Sequence, residues 1–131
     1  MTIQPAACCG HPHGTLRRWK GRCLVTVPGE LDLHAALSLT PHCLDPATTG
    51  RGCAAMVDMR WVTFRDLAGL AALRRAHRRA LERGGHLVLV TQQPGLLRRL
   101  AFTGAPIPYA TSLVRARAAC PAVPPPARSR G

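Results

Sequence analysis

The sequence predicts a single α/β domain with a largely parallel sheet. The prediction rests on apolar segments rich in β-branched residues, on segments with apolar residues at helical spacing, and on regular alternation between the two. Such alternation implies crossover connections, with helices packed on a mostly parallel sheet. The 131 residues are 47% hydrophobic, which is enough for one domain with a substantial core.

Two short strands are predicted first, within residues 16–29, and they meet near Gly21. The second, residues 23–27, is apolar and β-branched enough to be a central strand, and a Pro-Gly pair ends it. A helix follows Asp32, whose carboxylate is predicted to cap it by accepting bonds from free backbone N–H groups. The predicted apolar face of this helix consists of Leu33, Ala36, Leu37 and Leu44.

Pro41 interrupts the same helix. Inside a helix, proline removes a hydrogen bond and clashes with the preceding turn, so a break or kink is predicted there. Residues 47–52 are then predicted to form a loop, and residues 53–59 a buried strand, because a short apolar run lies between turn signals.

The next helix, predicted over residues 69–83, is amphipathic and strongly basic. Gly84 and Gly85 follow it, and glycines are typical at the C-terminal end of a helix. The predicted apolar side consists of Leu70, Leu73, Ala76, Ala80 and Leu81, and the basic side of Arg74, Arg75, Arg78, Arg79 and Arg83.

Residues 86–90, HLVLV, form the clearest strand of the sequence. A third helix is predicted over residues 94–104, then a short edge strand at residues 107–109 and a last helix at residues 111–119. The residues predicted to face inward are Leu96, Leu97 and Leu100 in the third helix and Leu113 and Val114 in the last.

The predicted domain occupies residues 15–119, between a flexible N-terminal tail at residues 1–14 and a Pro/Arg-rich disordered tail at residues 120–131. The N-terminal residues lack the charged and apolar segments of a secretory signal. No apolar run approaches the roughly 20 residues that a membrane-spanning helix needs. We therefore predict a cytoplasmic protein that does not enter a membrane and whose six cysteines are reduced.

The formal net charge is +12, from 18 basic residues against six acidic ones. A basic balance of this size suggests nucleic acid, an anionic membrane surface or an acidic protein as partner. Biased codon usage acting on a solvated surface explains the arginines equally well, and the two interpretations stay open.

Metal, cofactor and catalytic chemistry have little support in the sequence. Several potential ligands fall close together near the N-terminus, but without the paired spacing of structural zinc sites, so no metal is predicted. There is no Gly-rich phosphate loop and no Ser-His-Asp set at usable spacing, so we predict neither a cofactor nor catalytic residues. The clustered ligands are Cys8, Cys9, His11, His13 and Cys23.

Four segments of the sequence together carry a family resemblance: LVTVPGELDL at residues 24–33, AAMVDMRWVTFRDLAGLAAL at residues 54–73, GGHLVLV at residues 84–90, and LLRRLAFTG at residues 96–104. In this order and at this spacing they resemble a STAS domain of the anti-sigma factor antagonist (anti-anti-sigma factor) family. The resemblance implies a mixed, mostly parallel sheet of four to five strands with about four helices. It also implies a protein-binding module whose partner is an anti-sigma factor, often a serine kinase, and whose binding frees a sigma factor for transcription.

The chain departs from this family at the usual phosphorylation site. Residues matching 66–69 usually read Asp-Ser-Ser-Gly or Asp-Ser-x-Gly, and the first serine is phosphorylated by the partner kinase. Leu67 occupies that position here and Ala68 follows, so we expect binding that phosphorylation does not switch. The predicted partner-binding residues are Glu30, Asp32, Thr63, Arg65, Asp66, Leu67, Ala68 and Gly69.

Asp66 and Gly69 have two interpretations that the sequence leaves open. Asp66 is predicted to cap the helix that starts near Gly69, while Gly69 permits close backbone approach where a side chain would clash. Both residues either shape the turn alone or also contact a partner. Thr63 lies three residues before Asp66, within or at the end of a strand, where threonine more often packs than accepts phosphate, so we do not expect it to replace the missing hydroxyl.

The alternative function is binding of nucleic acid or an acidic surface through the Arg74 to Arg83 helix face. Phosphate contacts by arginine would supply affinity, but no aromatic residue is interleaved with the arginines for base stacking. An enzyme is the least supported class, because no nucleophile is paired with a base.

Overall fold

The centre of the fold is a mixed six-stranded sheet. The computed structural model describes residues 9–11, 14–64, 68–93, 98 and 107–120. The strands are β1 (Cys9–His11), β2 (Gly14–Trp19), β3 (Arg22–Thr26), β4 (Glu30–Leu31), β5 (Ala54–Asp58), β6 (Thr63–Phe64), β7 (His86–Val90) and β8 (Tyr109–Ala110). Within the described residues, the helices with defined bounds are α1 (Leu33–Leu39), α2 (Asp45–Ala47), α3 (Ala68–Glu82) and α4 (Leu113–Ala119), and a π-helical segment, Thr40–Leu44, joins α1 to α2.

The strand order in the main sheet is β1-β2-β3-β5-β7-β8, and β4 pairs with β6 in a separate ribbon. The pairs β1–β2 and β2–β3 are antiparallel, whereas β3–β5, β5–β7 and β7–β8 are parallel. This confirms the predicted mixed, mostly parallel sheet, with one more strand than expected because β1 adds to its edge.

A two-residue turn joins β2 to β3, which confirms that the two predicted strands meet near Gly21. Lys20 and Gly21 have φ values of 51° and 79°. Positive φ at both central residues matches the right-handed twist of paired strands, which is why such turns favour glycine. The hairpin therefore places Cys23 in register with Ala55 at the start of the parallel part of the sheet.

Each face of the sheet has its own core, because successive strand residues point to opposite sides. Helices α1 to α3 cover the first face, and α4 with Trp19 covers the second. The strand residues of the first core include Leu16, Val25, Ala55, Val57, Leu87 and Leu89. Those of the second are Leu24, Ala54, Met56, Val88 and Val90, which pack with Ala116 and Cys120.

The predicted interruption at Pro41 is confirmed as a π-helical segment. The Asp45 N–H donates to the carbonyl oxygen of Thr40, five residues back, so this turn contains one more residue than an α-helical turn. Each helical residue advances about 100° around the axis, so the extra residue rotates everything after it by that amount. Leu44 is buried, whereas Leu33 and Leu37 are 55% and 65% exposed.

The predicted apolar face of the first helix was therefore wrong for Leu33 and Leu37, which would share a side with Leu44 only in an unbroken α-helix. Leu81 and Val114 were also predicted to face the core, and this was wrong. Both are exposed, outside the buried side of their helices. The buried residues of α1 are Ala35, Ala36 and Leu39, and those of α3 are Gly69, Leu70, Ala72, Leu73, Ala76 and Ala80.

The structure extends the fold into both predicted tails. Cys9–His11 pair with β2 in the segment expected to be flexible, because an edge strand needs only backbone partners and has no required side-chain pattern. Cys120, expected at the start of the disordered tail, is buried, and burial raises the pKa of its thiol to about 11. Arg22 fixes this end of α4 by donating from Nη2 to the Arg117 carbonyl oxygen at 3.1 Å.

Most of the predicted third helix, residues 94–104, lies outside the described residues. Among the helices that are described, none has the length and apolar character needed to cross a membrane.

Candidate protein-binding corner

The corner is the β4–β6 ribbon with the residues that flank it on each side. Glu30 lies opposite Thr63 and Leu31 opposite Phe64 in parallel register. The Thr63 N–H donates to the Gly29 carbonyl oxygen at 3.3 Å, which ties the ribbon at its start. Glu30 and Thr63 are both exposed, so the pairing places a carboxylate and a hydroxyl side by side on the surface.

Gly69 packs directly on Leu31. A Cβ atom at Gly69 would lie 2.5 Å from Leu31 Cγ and 2.7 Å from Leu31 Cδ2, which is closer than non-bonded carbon atoms approach each other. The predicted close approach at Gly69 is therefore confirmed, and it holds the start of α3 against the ribbon. The helix begins at Ala68, one residue earlier than the sequence indicates, and Ala68 is half-buried.

Asp32 caps α1 as predicted. Its Oδ1 accepts a hydrogen bond of 2.8 Å from the Ala35 N–H, and its backbone is extended, as the cap position requires. The carboxylate therefore has a structural role at the end of the ribbon. Because the side chain is only partly buried, it also forms part of the corner surface.

Arg65, Asp66 and Leu67 lie outside the described residues. The predicted cap at Asp66 and the surroundings of Leu67 therefore stay predictions. The residues on both sides of them are described: β6 ends at Phe64 and α3 begins at Ala68.

Sequence reasoning missed an ion pair that leads into the corner. Asp58 is 3% exposed at the end of β5, and Arg60 donates to both of its carboxylate oxygens, from Nε at 2.9 Å and from Nη2 at 2.8 Å. This hydrogen bonding to Asp58 raises the pKa of Arg60. An acidic residue ending a buried strand, two positions before an arginine, is the signal that could have predicted the pair.

Trp61 lies beside this ion pair and is 60% exposed. The Arg60 guanidinium carbon is 4.5 Å from the centre of the Trp61 ring, in cation–π contact. Gln93 fixes the same loop by donating from Nε2 to the carbonyl oxygens of Met59, at 3.2 Å, and Val62, at 2.6 Å. The indole is therefore presented to solvent by a loop with several fixed contacts.

Three large apolar side chains near the ribbon are exposed. Leu33 follows β4 by two residues, Leu37 lies one turn further along α1, and Trp61 precedes β6 by two residues. Because β4 and β6 are parallel, Trp61 lies before the start of the ribbon, whereas Leu33 and Leu37 follow its other end. Large apolar side chains left exposed on a surface are candidates for contact with a protein partner.

The alternative site, the basic side of α3, is distinct from the corner. Arg75 and Arg78 are exposed, and Arg74, Arg79 and Arg83 are half-buried. Within the described part of the chain, no three His, Cys, Asp or Glu side chains are grouped so that they could hold a metal ion.

The described residues form a small α/β domain in which the β4–β6 ribbon and the start of α3 make an exposed corner. A sequence model of the STAS domain matches residues 15–108, more than half of the chain. The chain belongs to the STAS domain family.

Solved structures of anti-sigma factor antagonists have the same fold. One from Mycobacterium paratuberculosis is 20% identical with a TM-score of 0.69, covering 86% of this chain and 98% of that chain. SpoIIAA in its unphosphorylated form is 15% identical with a TM-score of 0.63, covering 78% of this chain and 91% of that chain. SpoIIAA from Bacillus in its phosphorylated form is 18% identical with a TM-score of 0.60, covering 76% and 92%.

These identities are low, so the likeness to the solved structures shows the shared fold alone. No curated protein sequence matches the chain.

Proposed function

We propose that the chain is an anti-sigma factor antagonist, a non-enzymatic protein that binds an anti-sigma factor and thereby frees a sigma factor for transcription. Membership of the STAS family and the likeness to solved anti-sigma factor antagonists support this class. The observation that carries the proposal is the exposed corner, where two loops of the fold meet in a paired ribbon. Such a partner would be met in the cytoplasm.

The proposed contact surface is the corner. Glu30 and Thr63 would supply polar contacts, with Asp32 and Ala68 beside them. Gly69 would keep the start of α3 close to Leu31 of the ribbon. The predicted contacts of Arg65, Asp66 and Leu67 complete the surface.

Trp61 and Leu33 add apolar area to the polar contacts. Tryptophan and arginine dominate binding energy at many interfaces, and a rigid side chain loses little entropy on binding. The Asp58–Arg60 pair holds Trp61 in such a fixed position. We therefore propose that Trp61 is the main apolar anchor of the complex.

We further propose that serine phosphorylation does not switch this interaction. Leu67 and Ala68 lack hydroxyl groups, so neither can accept phosphate where related proteins carry serine. A phosphate would add about 1.5 to 2 negative charges at the start of α3, enough to change a docking surface. The corner would therefore keep its charge in the presence of a kinase-type anti-sigma factor and ATP.

The test is co-purification of the full chain with an anti-sigma factor of the serine-kinase type, with and without ATP. We expect the complex to persist with ATP and the chain to stay unmodified in mass spectrometry. A non-hydrolysable ATP analogue controls for effects of nucleotide occupancy. Loss of the complex upon ATP addition, with phosphate on this chain, would contradict the proposal.

A Leu67→Ser variant sharpens the test because it restores the missing acceptor. We expect the variant to bind the same partner without ATP and to be phosphorylated and released with ATP. The matched control is Ala68→Ser, which adds the same hydroxyl one residue away. If both variants and the unchanged chain fail to bind any such kinase, the choice of partner class is wrong.

A further inference from the structure

A groove of about 510 Å³ lies between α3 and the helical residues 40–47. Among the described residues, α3 contributes three arginines to one wall, a fourth arginine directly follows the helix, and the opposite wall contributes Thr40 and Asp45. This volume is in the range of small-molecule sites, which is roughly 300 to 1,000 Å³. The arginines of the groove are Arg75, Arg78, Arg79 and Arg83.

The groove has an excess of positive charge. Among the described residues that line it, the acidic ones are Asp45 and Glu82, so four guanidinium groups face two carboxylates. Arg79 and Asp45 form a 3.7 Å ion pair across the groove, and both side chains are more than a third exposed. An ion pair this exposed is weak, so a ligand anion can displace Asp45. The other three arginines form no ion pair with a carboxylate of the described residues.

Thr40 is a further polar residue of the groove wall. Its Oγ1 atom is buried and has no hydrogen-bond partner among the described residues. Buried hydroxyl groups are nearly always hydrogen-bonded, because an unmade bond is costly. A rotation of the Thr40 side chain about its Cα–Cβ bond would turn this hydroxyl toward a ligand oxygen in the groove.

We propose that this groove binds a small molecule that carries several adjacent phosphate groups. Guanidinium groups donate two parallel hydrogen bonds to phosphate oxygens, which makes arginine the preferred residue for such ligands. Arg75 and Arg83 are eight residues apart, about 12 Å along the helix axis, so the row can engage more than one phosphate group. The described residues that line the groove include no aromatic side chain on which nucleic-acid bases would stack.

The groove uses the second half of α3, whereas the corner uses the start of the same helix. The inference stands independently of the proposed anti-sigma factor partner. It also changes the interpretation of the arginines, because part of the basic side of α3 faces this recess.

The experiment is calorimetric titration of the full chain at about 0.15 M ionic strength. The probes are tripolyphosphate, ATP and a short single-stranded DNA oligonucleotide. We expect one phosphate ligand to bind per chain. Equal affinities for tripolyphosphate and ATP would assign recognition to the phosphate chain, and tighter binding of ATP would assign a nucleotide ligand.

Four variants locate the site. Arg75→Gln and Arg79→Gln should each weaken phosphate binding by about tenfold, because each removes a charge-assisted hydrogen bond. Asp45→Asn should strengthen it, because the competing carboxylate is removed. The matched control is Arg115→Gln on α4, which is exposed, makes the same change in net charge and should leave the affinity within about twofold.

Three results would overturn the inference. The first is that neither phosphate probe binds at this ionic strength. The second is that Arg115→Gln weakens binding as much as the groove variants, which would indicate an effect of net charge. The third is that the oligonucleotide binds more tightly than both phosphate probes through the same arginines, which would indicate a nucleic-acid surface.

Discussion

The corner and the groove both lie along α3, but different forces determine their shapes. At the corner, Gly69 touches Leu31, Asp32 caps α1, and Arg60 is bound to the buried Asp58. In the groove, the ion pair of Arg79 with Asp45 is long and exposed. The corner is therefore suited to recognition by shape, since its side chains are held before a partner arrives.

The groove, in contrast, is suited to recognition by charge. Flexible guanidinium groups adapt to an anion, and their attraction weakens as salt increases. The two sites should consequently respond in opposite ways to perturbation. A steric change should damage the corner, whereas a change in charge or ionic strength should affect the groove.

The largest expected effect is on stability, from Gly69→Ala. The added Cβ would lie 2.5 Å from Leu31 Cγ, so Leu31 or the start of α3 must move. Overpacking of this kind costs about 1–3 kcal/mol. Urea denaturation should show that loss, whereas Gly29→Ala, at a position with nothing within 4 Å of the added atom, should be nearly neutral.

A double-mutant cycle tests the assigned cause of the Gly69→Ala loss. Leu31→Ala alone should destabilise the fold by leaving a cavity, but it also removes the atoms that the new Cβ would meet. The two changes together should cost less than their sum by about 1 kcal/mol or more. Simple additivity would mean that Leu31 is not the obstacle.

The next largest effect is expected on binding of the proposed anti-sigma factor, in the Trp61→Ala variant. The side chain is 60% exposed, so its removal should change the free energy of unfolding little. If the indole anchors the anti-sigma factor, the complex should lose about 2 kcal/mol, or roughly 30-fold in Kd. Leu81→Ala, an exposed apolar residue at the other end of α3, is the control. Equal losses from both variants would remove the distinction between the corner and the general surface.

Local signals in the sequence were enough to predict most of the fold. The strands at Ala54–Asp58 and His86–Val90 coincide closely with prediction, because short apolar runs between turn residues have few alternatives. Asp32 and Pro41 were also interpreted correctly, since capping and helix interruption depend on nearby backbone groups. Local chemistry therefore fixes where elements begin and end.

The outward side of α1 could not be predicted from the sequence. Leu33 and Leu37 were expected inside because they are in phase with Leu44 on an ideal helix, and only the π-helical segment changes that phase. Whether proline produces a kink or a π-helical turn depends on packing across the chain. These two leucines are instead exposed on the outer side of α1, after the end of the β4–β6 ribbon.

Trp61 and the groove escaped prediction for a related reason. The position of Trp61 depends on Gln93, which is distant in sequence, and the groove exists only because residues 40–47 pack near α3. The sequence indicated the charge of the arginines but not the recess that collects them. Sites formed by distant segments need the tertiary structure.

The smallest expected effect is on stability at mildly acidic pH. It tests whether the side of α3 that carries His77 is packed as closely as the corner. Burial lowers the pKa of His77, so the folded protein binds a proton there less readily than the unfolded chain does. Stability should therefore fall as the pH drops below about 6.5, the ordinary histidine value. In denaturation curves between neutral and mildly acidic pH, His77→Gln should remove part of this loss, by less than about 1 kcal/mol because the ring is half-exposed. The exposed His86→Gln is the control, and an unchanged pH dependence in His77→Gln would mean that this flank is open to water.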